Sequence, residues 1–145
     1  MLSEDLRALI PHAGDMCLID EVLSWDADGL IGRTRSHTRP TNPLRTHGML
    51  AATHVLEYAG QTCALHGGLL ARERGAEAIP ALLVAASQVE IPSAPLSDLS
   101  GALEIRVTRL HGSDRDGIYL FEIHEGGRRL SGGRLTVMAR RQETE

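Results

Sequence analysis

Glu57 is the most unusual residue of the sequence, because it places a carboxylate inside an apolar stretch. Its neighbours Val55, Leu56 and Ala59 are apolar. Burial of an unpaired carboxylate costs on the order of several kcal/mol, so such a group is paired, protonated or placed at a cleft. Because desolvation favours the neutral form, we expect Glu57 to give and take protons near neutral pH.

His54 and Gln61 accompany Glu57 at helical spacing. The three residues occupy positions i−3, i and i+4, so they share one face of a helix and form a polar stripe on an apolar rod. Two other readings stay open, in which Glu57 lies on a solvated face or is neutralised by an arginine. His54 can also be an ordinary core or surface histidine, and we assign it no catalytic role. His54 and Glu57 lack a third ligand at suitable spacing, and we predict no metal site and no cofactor.

The segment before this stretch, residues 42–50, carries His47 and Gly48 at the expected helix entrance. Backbone N–H groups at a helix start are unsatisfied and lie at the positive end of the dipole, so they polarise a bound carbonyl. A thioester oxygen is a suitable ligand there. His47 is a candidate base, although a loop histidine can also be merely exposed. His12 has the same ambiguity.

The long segment of residues 49–72 must position these side chains. No proline interrupts it, and apolar residues recur near helical spacing on almost all of its sides. Such a helix is buried. Its end is marked by the charged run at residues 72–75 or, as the alternative, by Gly67-Gly68.

The remaining periodic segments predict strands. Alternation of apolar and polar residues at residues 103–108 and 119–124 indicates half-buried strands. Turn residues separate the segments, with Asp26 to Gly29 in the first hairpin and Gly126-Gly127 in the last. The predicted elements are a short helix at 3–10, strands at 16–25, 30–37 and 79–91, an irregular crossing at 92–100, and a three-strand meander ending at 135–139.

The order of hairpin, long buried helix and four strands predicts an α+β hotdog fold, in which a curved antiparallel sheet wraps around a long central helix. The 145 residues fit a single domain spanning residues 1–145. The sheet keeps exposed edges, and pairing of edge strands between two protomers would remove them. We therefore expect a dimer.

Composition narrows the functional classes. The chain is 42% hydrophobic and 23% charged with a net charge of −4, and its arginines are dispersed. This distribution argues against a nucleic-acid partner. No apolar run approaches the ~18 to 20 residues of a membrane span, and MLSEDLRALI lacks the basic and apolar regions of a signal peptide, so we expect neither membrane insertion nor export. Cys17 and Cys63 lie in apolar surroundings without a CxxC pairing, which indicates reduced core thiols and a cytoplasmic protein.

Two stretches resemble a known family. Residues 9–26, LIPHAGDMCLIDEVLSWD, resemble the amino-terminal hairpin of 3-hydroxyacyl-[acyl-carrier-protein] dehydratases. Residues 56–61, LEYAGQ, are similar to the start of their central helix. The closest likeness is to the dehydratase-like proteins of aryl-polyene and xanthomonadin-type pigment clusters, from about Leu9 to Met138, including the IPALLVAA segment at residues 79–86.

The resemblance implies a reaction and a set of site residues. In these dehydratases a histidine of a His-x-Pro loop removes the C2 proton, and an acid on the central helix helps the C3 hydroxyl depart, across a dimer interface. Glu57 corresponds to that acid. The loop histidine does not carry over to this chain, because the residue directly before Pro43 is Asn42 and asparagine takes up no proton at neutral pH. His47 is therefore the candidate substitute. The substrate-binding candidates are Asn42, Gly48, Gln61 and His12.

Three functions follow as hypotheses. The first is a lyase that dehydrates 3-hydroxyacyl thioesters held on acyl carrier protein or coenzyme A, in fatty-acid or aryl-polyene biosynthesis. The second is a non-catalytic acyl-binding subunit that pairs with an active dehydratase. The third is a hotdog thioesterase. In each case the expected assembly is a homodimer or a heterodimer with a related hotdog subunit.

Overall fold

The computed structural model describes residues 2–10, 14–76, 81–113 and 116–139. The bounds of the helices are α1 Glu4–Arg7 and α2 Val55–Glu73, and those of the strands are β1 Glu21–Trp25, β2 Gly29–Thr34, β3 Ala81–Glu90, β4 Leu103–Gly112, β5 Asp116–Glu125 and β6 Arg128–Ala139. Single 3-10 turns lie at Gly14–Met16, Ser36–Thr38, Ala52–His54 and Leu96–Asp98.

The six strands form one sheet in the order β1-β2-β4-β5-β6-β3, and every neighbouring pair is antiparallel. Helix α2 packs on one face of this sheet, which confirms the predicted α+β arrangement. Strands β4, β5 and β6 form the predicted meander. Strand β3 follows α2 in the chain and returns to the far side of β6, so it forms one edge of the sheet.

The core lies between α2 and the inner face of the sheet. On β4, Leu103, Ile105 and Val107 are buried while the residues between them face outward. Phe121 and Ile123 continue this inner face on β5. Helix α2 is buried on most of its sides, as expected for an apolar helix inside a sheet.

Local signals set the two hairpins. The Asp26 carboxylate accepts hydrogen bonds from the backbone N–H groups of Asp28 and Gly29, at 2.8 and 3.0 Å, and so closes the turn between β1 and β2. Gly126 and Gly127 have φ angles of 56° and 84°, which glycine adopts without strain. Both predicted turns are confirmed.

Several boundaries differ from the prediction. Helix α1 spans only Glu4–Arg7 and β2 ends at Thr34, and at two further boundaries distant residues bind the backbone. Helix α2 begins at Val55, after the 3-10 turn, rather than at residue 49. At Leu50 the N–H donates to Ser97 Oγ at 3.0 Å and the carbonyl accepts from the Leu96 N–H at 2.8 Å, so neither group is free for the helix. Strand β1 begins at Glu21 rather than at residue 16. Residues 79 and 80 of the predicted third strand lie outside the described residues. Over the described part of the chain, no helix combines the length and apolarity that crossing a membrane requires.

Candidate functional site

His47 lies at the tip of a tight turn just before the helix. The backbones of Thr46 and Met49 pair through two hydrogen bonds, of 2.9 and 3.1 Å. His47 and Gly48 form the centre of the turn with φ angles of 53° and 75°. Both angles lie in the left-handed region, as in the turns of tight hairpins. The side chain of His47 is exposed, so its imidazole is open to an incoming molecule.

Arg45 fastens this turn to the preceding loop. Its guanidinium donates to the carbonyl oxygens of His37, Arg39 and Gly48, at 3.0, 2.9 and 2.9 Å. One side chain therefore joins three points of the segment that leads to the helix. The sequence pattern did not identify Arg45.

Asn42 is buried, and its side chain is hydrogen-bonded to the loop and to the helix. It is 5% exposed. Its amide nitrogen donates to the Ser36 carbonyl at 3.0 Å and to the Tyr58 hydroxyl at 3.2 Å, and its amide oxygen accepts from the Leu44 N–H at 2.9 Å. The predicted substrate-binding role is not supported by this geometry, because both polar ends of Asn42 already hold the loop together.

Tyr58 connects that loop to α2. Its hydroxyl lies 2.8 Å from Ser36 Oγ, which donates to the Leu18 carbonyl at 2.7 Å. Burial raises the pKa of Tyr58. The hydroxyl therefore stays protonated. It joins the helix to the loop directly, through Ser36 and Asn42, and to Leu18 through Ser36. A tyrosine inside an apolar helix needs a partner for its hydroxyl, and that signal could have identified Tyr58 in the sequence.

Asp20 ends the same buried network. Its carboxylate contacts the Arg39 guanidinium at 2.5 Å and accepts from the Arg35 N–H at 2.8 Å. Burial raises the pKa of Asp20, but the hydrogen bonds from Arg35 and Arg39 outweigh it and hold the pKa below the usual value. The loop is thus anchored by an ionised carboxylate at one end and by Tyr58 at the other.

Glu57 is exposed in the single chain, which corrects the prediction of a buried carboxylate. The burial of the next residue, Tyr58, explains this exposure. Successive helix residues point about 100° apart, and Tyr58 is fully buried with its hydroxyl bonded to the loop. With Tyr58 directed into the core, Glu57 is directed out of it, on the first turn of α2.

The predicted polar stripe is divided between two environments. Gln61 is 2% exposed, and its amide group accepts from the Leu18 N–H at 2.9 Å and donates to the Met16 carbonyl at 2.5 Å. These bonds hold the amino-terminal segment and account for the late start of β1. Both polar atoms of Gln61 are therefore bonded to the backbone of that segment, and its substrate-binding role stays a prediction. His54 is half-buried, and His12 lies outside the described residues.

A second histidine, His66, is fully buried in the core. Its Nε2 lies 2.8 Å from the Asp26 carbonyl and must donate to it, so Nδ1 accepts from the Tyr119 hydroxyl at 2.7 Å. Burial lowers the pKa of His66, which keeps the ring neutral.

Cys17 and Cys63 are buried and free, as predicted. Within the described residues, no group of three or more His, Cys, Asp or Glu could hold a metal.

Cavities of 310, 400 and 450 Å³ lie elsewhere on the molecule. The first lies on the β1–β2–β4 surface, the second beside Asp20 and Arg39, and the third at the β4–β5 end. Neither Glu57 nor His47 lines any of the three. These cavities therefore supply no acyl tunnel beside Glu57.

Comparisons with known proteins agree with this architecture. The family model of ApeP-like proteins, described as ApeP dehydratase, matches residues 4–145. A chain of the dehydratase heterocomplex ApeI:P from Xenorhabdus doucetiae superposes with a TM-score of 0.85 at 18% identity, over 94% of this chain and 91% of that one. No curated protein matches the sequence.

Two more distant structures carry thioesterase names. A hypothetical thioesterase protein with coenzyme A from Streptococcus pneumoniae gives a TM-score of 0.60 at 14% identity, over 86% of this chain and 88% of that one. A thioesterase from Haemophilus influenzae gives 0.56 at 16% identity, over 81% and 76%. The structural neighbours share the hotdog fold, which confirms the predicted fold.

Proposed function

Because the chain belongs to the ApeP-like dehydratase family, we propose that it takes part in dehydrating 3-hydroxyacyl thioesters carried on acyl carrier protein or coenzyme A. The reaction is an elimination. A base removes a proton from C2, the C3 hydroxyl is protonated and leaves as water, and a 2-enoyl thioester remains. The proposed setting is fatty-acid or aryl-polyene biosynthesis in the cytoplasm, where the thiols of Cys17 and Cys63 stay reduced.

The observation that carries the proposal is the position of Glu57. Its carboxyl group stands on the first turn of α2, and the next residue, Tyr58, is fixed to the loop by Ser36 and Asn42. The backbone that holds Glu57 is therefore rigid, although the side chain is open. Glu57 is the proposed acid that protonates the departing hydroxyl, a role typical of a positioned carboxyl group.

His47 is the proposed base. Asn42 precedes Pro43 and takes up no proton, and its amide group is committed to the loop. His47 lies five residues further on, at the tip of an exposed turn. The backbone N–H groups at the start of the helix are the proposed site for the thioester oxygen, because they lie at the positive end of the helix dipole.

A second subunit is part of the proposal. Strand β3 is an edge strand of ten residues, with Leu83 and Val84 40% and 51% exposed. Such an edge is normally covered in a soluble protein. A subunit that also covered Glu57 would withdraw the carboxyl group from water and favour its protonated form. We propose a homodimer or a heterodimer with a related hotdog subunit. The Xenorhabdus doucetiae structure is itself described as a heterocomplex.

The buried state of Asn42 favours one alternative. Directly before Pro43, this chain has an amide that braces the loop and no histidine. In the alternative, the chain binds the acyl group or supports a partner, and the partner supplies all of the chemistry.

The test follows hydration of a crotonyl-pantetheine thioester by the loss of enoyl absorbance. The purified chain is assayed alone and with a second hotdog dehydratase subunit from the same genome, while free thiol is measured in parallel. Loss of enoyl absorbance without thiol release supports a dehydratase site. Thiol release indicates a thioesterase instead, and no turnover in either mixture contradicts the proposal. Turnover in the mixture that Glu57→Gln leaves unchanged supports the non-catalytic alternative.

A further inference from the structure

The loop between β2 and α2 carries the proposed base, and Arg45 is the side chain that joins its parts. The three carbonyls that Arg45 binds belong to His37, Arg39 and Gly48. His37 lies in the 3-10 turn after β2, while Gly48 lies in the turn beside His47. Arg45 therefore joins the tip of the loop, at Gly48, to the start of the loop, at His37, eleven residues earlier in the chain.

The conformation at the tip needs such support. A non-glycine residue with positive φ is uncommon, and His47 has a φ of 53°. The backbone pair between Thr46 and Met49 closes the turn from inside. The bond from Arg45 Nη1 to the Gly48 carbonyl, at 2.9 Å, fixes the peptide that follows the turn. This orientation determines where the imidazole of His47 points.

We infer that Arg45 is a positioning residue that holds the turn of His47 and Gly48 in its catalytic orientation. The inference rests on the proposed function, because it assigns the geometry of the proposed base to a side chain that does not touch the substrate. Arginine is required rather than lysine. Its planar guanidinium offers several N–H donors in a fixed arrangement, whereas a lysine ammonium is a compact group on a flexible stem.

The first experiment compares Arg45→Ala, Arg45→Lys and Arg33→Ala in the active assembly. Arg33 is the control, because it is an arginine outside this loop that pairs with Glu21 on the sheet. Displacement of a catalytic group by about 1 Å can cost about 100-fold in rate. We expect Arg45→Ala to lower kcat about 10- to 100-fold, with KM changed less than about twofold. Arg45→Lys should recover little, and Arg33→Ala should keep the original kcat.

Chemical rescue separates positioning from general stability. Added guanidinium ion at low millimolar concentration should restore part of the kcat of Arg45→Ala, because the ion can occupy the vacated site between the carbonyls. It should not restore Arg45→Lys, in which the lysine side chain fills that site. Absence of any rescue of Arg45→Ala would count against the inference.

Gly48→Ala tests the turn by a second route that leaves Arg45 in place. A Cβ at Gly48 meets nothing within 4 Å, so its effect comes from the φ of 75° alone. We expect a fall in kcat similar in kind to that of Arg45→Ala.

His47→Ala separates the proposed catalytic role of His47 from the proposed positioning role of Arg45. If His47→Ala keeps full activity, the proposed base is wrong. If His47→Ala is inactive while Arg45→Ala or Gly48→Ala keeps full kcat, the positioning inference is overturned.

Discussion

The loop of residues 34–50 and the meander of β4, β5 and β6 are held together by different forces. In the meander, apolar side chains alternate with polar ones, and the inner row packs against α2. In the loop, side chains bind backbone groups of other segments, as Arg45 and Asn42 do. The meander therefore supplies stability through buried area, and the loop supplies fixed orientation through hydrogen bonds.

This difference determines what a substitution should do in each region. Removal of apolar volume from the meander should lower the free energy of unfolding of the whole chain. Removal of one hydrogen bond from the loop should lower the free energy of unfolding less and the activity more. The reason is that the proposed base, His47, lies in this loop and the proposed acid, Glu57, lies on the first turn of the helix that follows it.

Phe121→Ala should give the largest loss of stability. Phe121 is 1% exposed and lies in the middle of β5, facing α2. A Phe→Ala change in a core costs about 3–5 kcal/mol of unfolding free energy, and urea denaturation would measure it. Leu120→Ala is the control on the same strand, because Leu120 faces outward and is 44% exposed. A loss at Leu120 as large as that at Phe121 would contradict the assigned faces of the sheet.

Tyr58→Phe should separate orientation from stability. The change removes the hydroxyl between Ser36 and Asn42 and should cost about 1–3 kcal/mol. Dehydration should fall as well, since the loop loses its link to α2. Tyr119→Phe is the matched control, because it also removes a buried hydroxyl bond, to His66 in the core. We expect similar destabilisation in the two variants and loss of activity only at Tyr58. Equal loss of activity in both would remove the distinction between the regions.

The smallest predicted effect is the pH dependence of stability that comes from His66. Burial lowers its pKa in the folded chain, whereas the unfolded chain takes up the proton near the ordinary value of 6.5. The unfolded state therefore binds more protons below that pH, and stability falls as the pH drops from 6.5 towards the folded pKa. His66→Gln should reduce this slope, as measured by urea denaturation between about pH 7.5 and about pH 5.5. An unchanged slope would show that His66 takes no part in it.

The meander and the long helix could be predicted from the sequence because their signals are local. Alternation along each strand and the pair Gly126-Gly127 need no knowledge of distant residues. The positions of Asn42 and Gln61 could not be predicted in this way, because their partners Tyr58 and Leu18 lie 16 and 43 residues away along the chain.

The exposure of Glu57 shows the same limit. Helical spacing placed it on a polar face with Gln61, but the burial of Tyr58 decides how the helix is rotated. The role of Glu57 as the acid stays a prediction. The environment of this carboxylate depends on whether a second subunit covers it, and the sequence of one chain carries no local signal for that contact.

The decisive measurement is the kcat of the proposed two-subunit assembly when this chain carries Glu57→Gln. Glu73→Gln is the control, because Glu73 is exposed at the other end of α2. Loss of a general acid lowers the rate by about 10²- to 10⁴-fold. We predict a fall of this size for Glu57→Gln, with the assembly intact by size-exclusion chromatography and Glu73→Gln unchanged. An unaltered kcat in the Glu57→Gln assembly would contradict the proposed role of this chain in the chemistry.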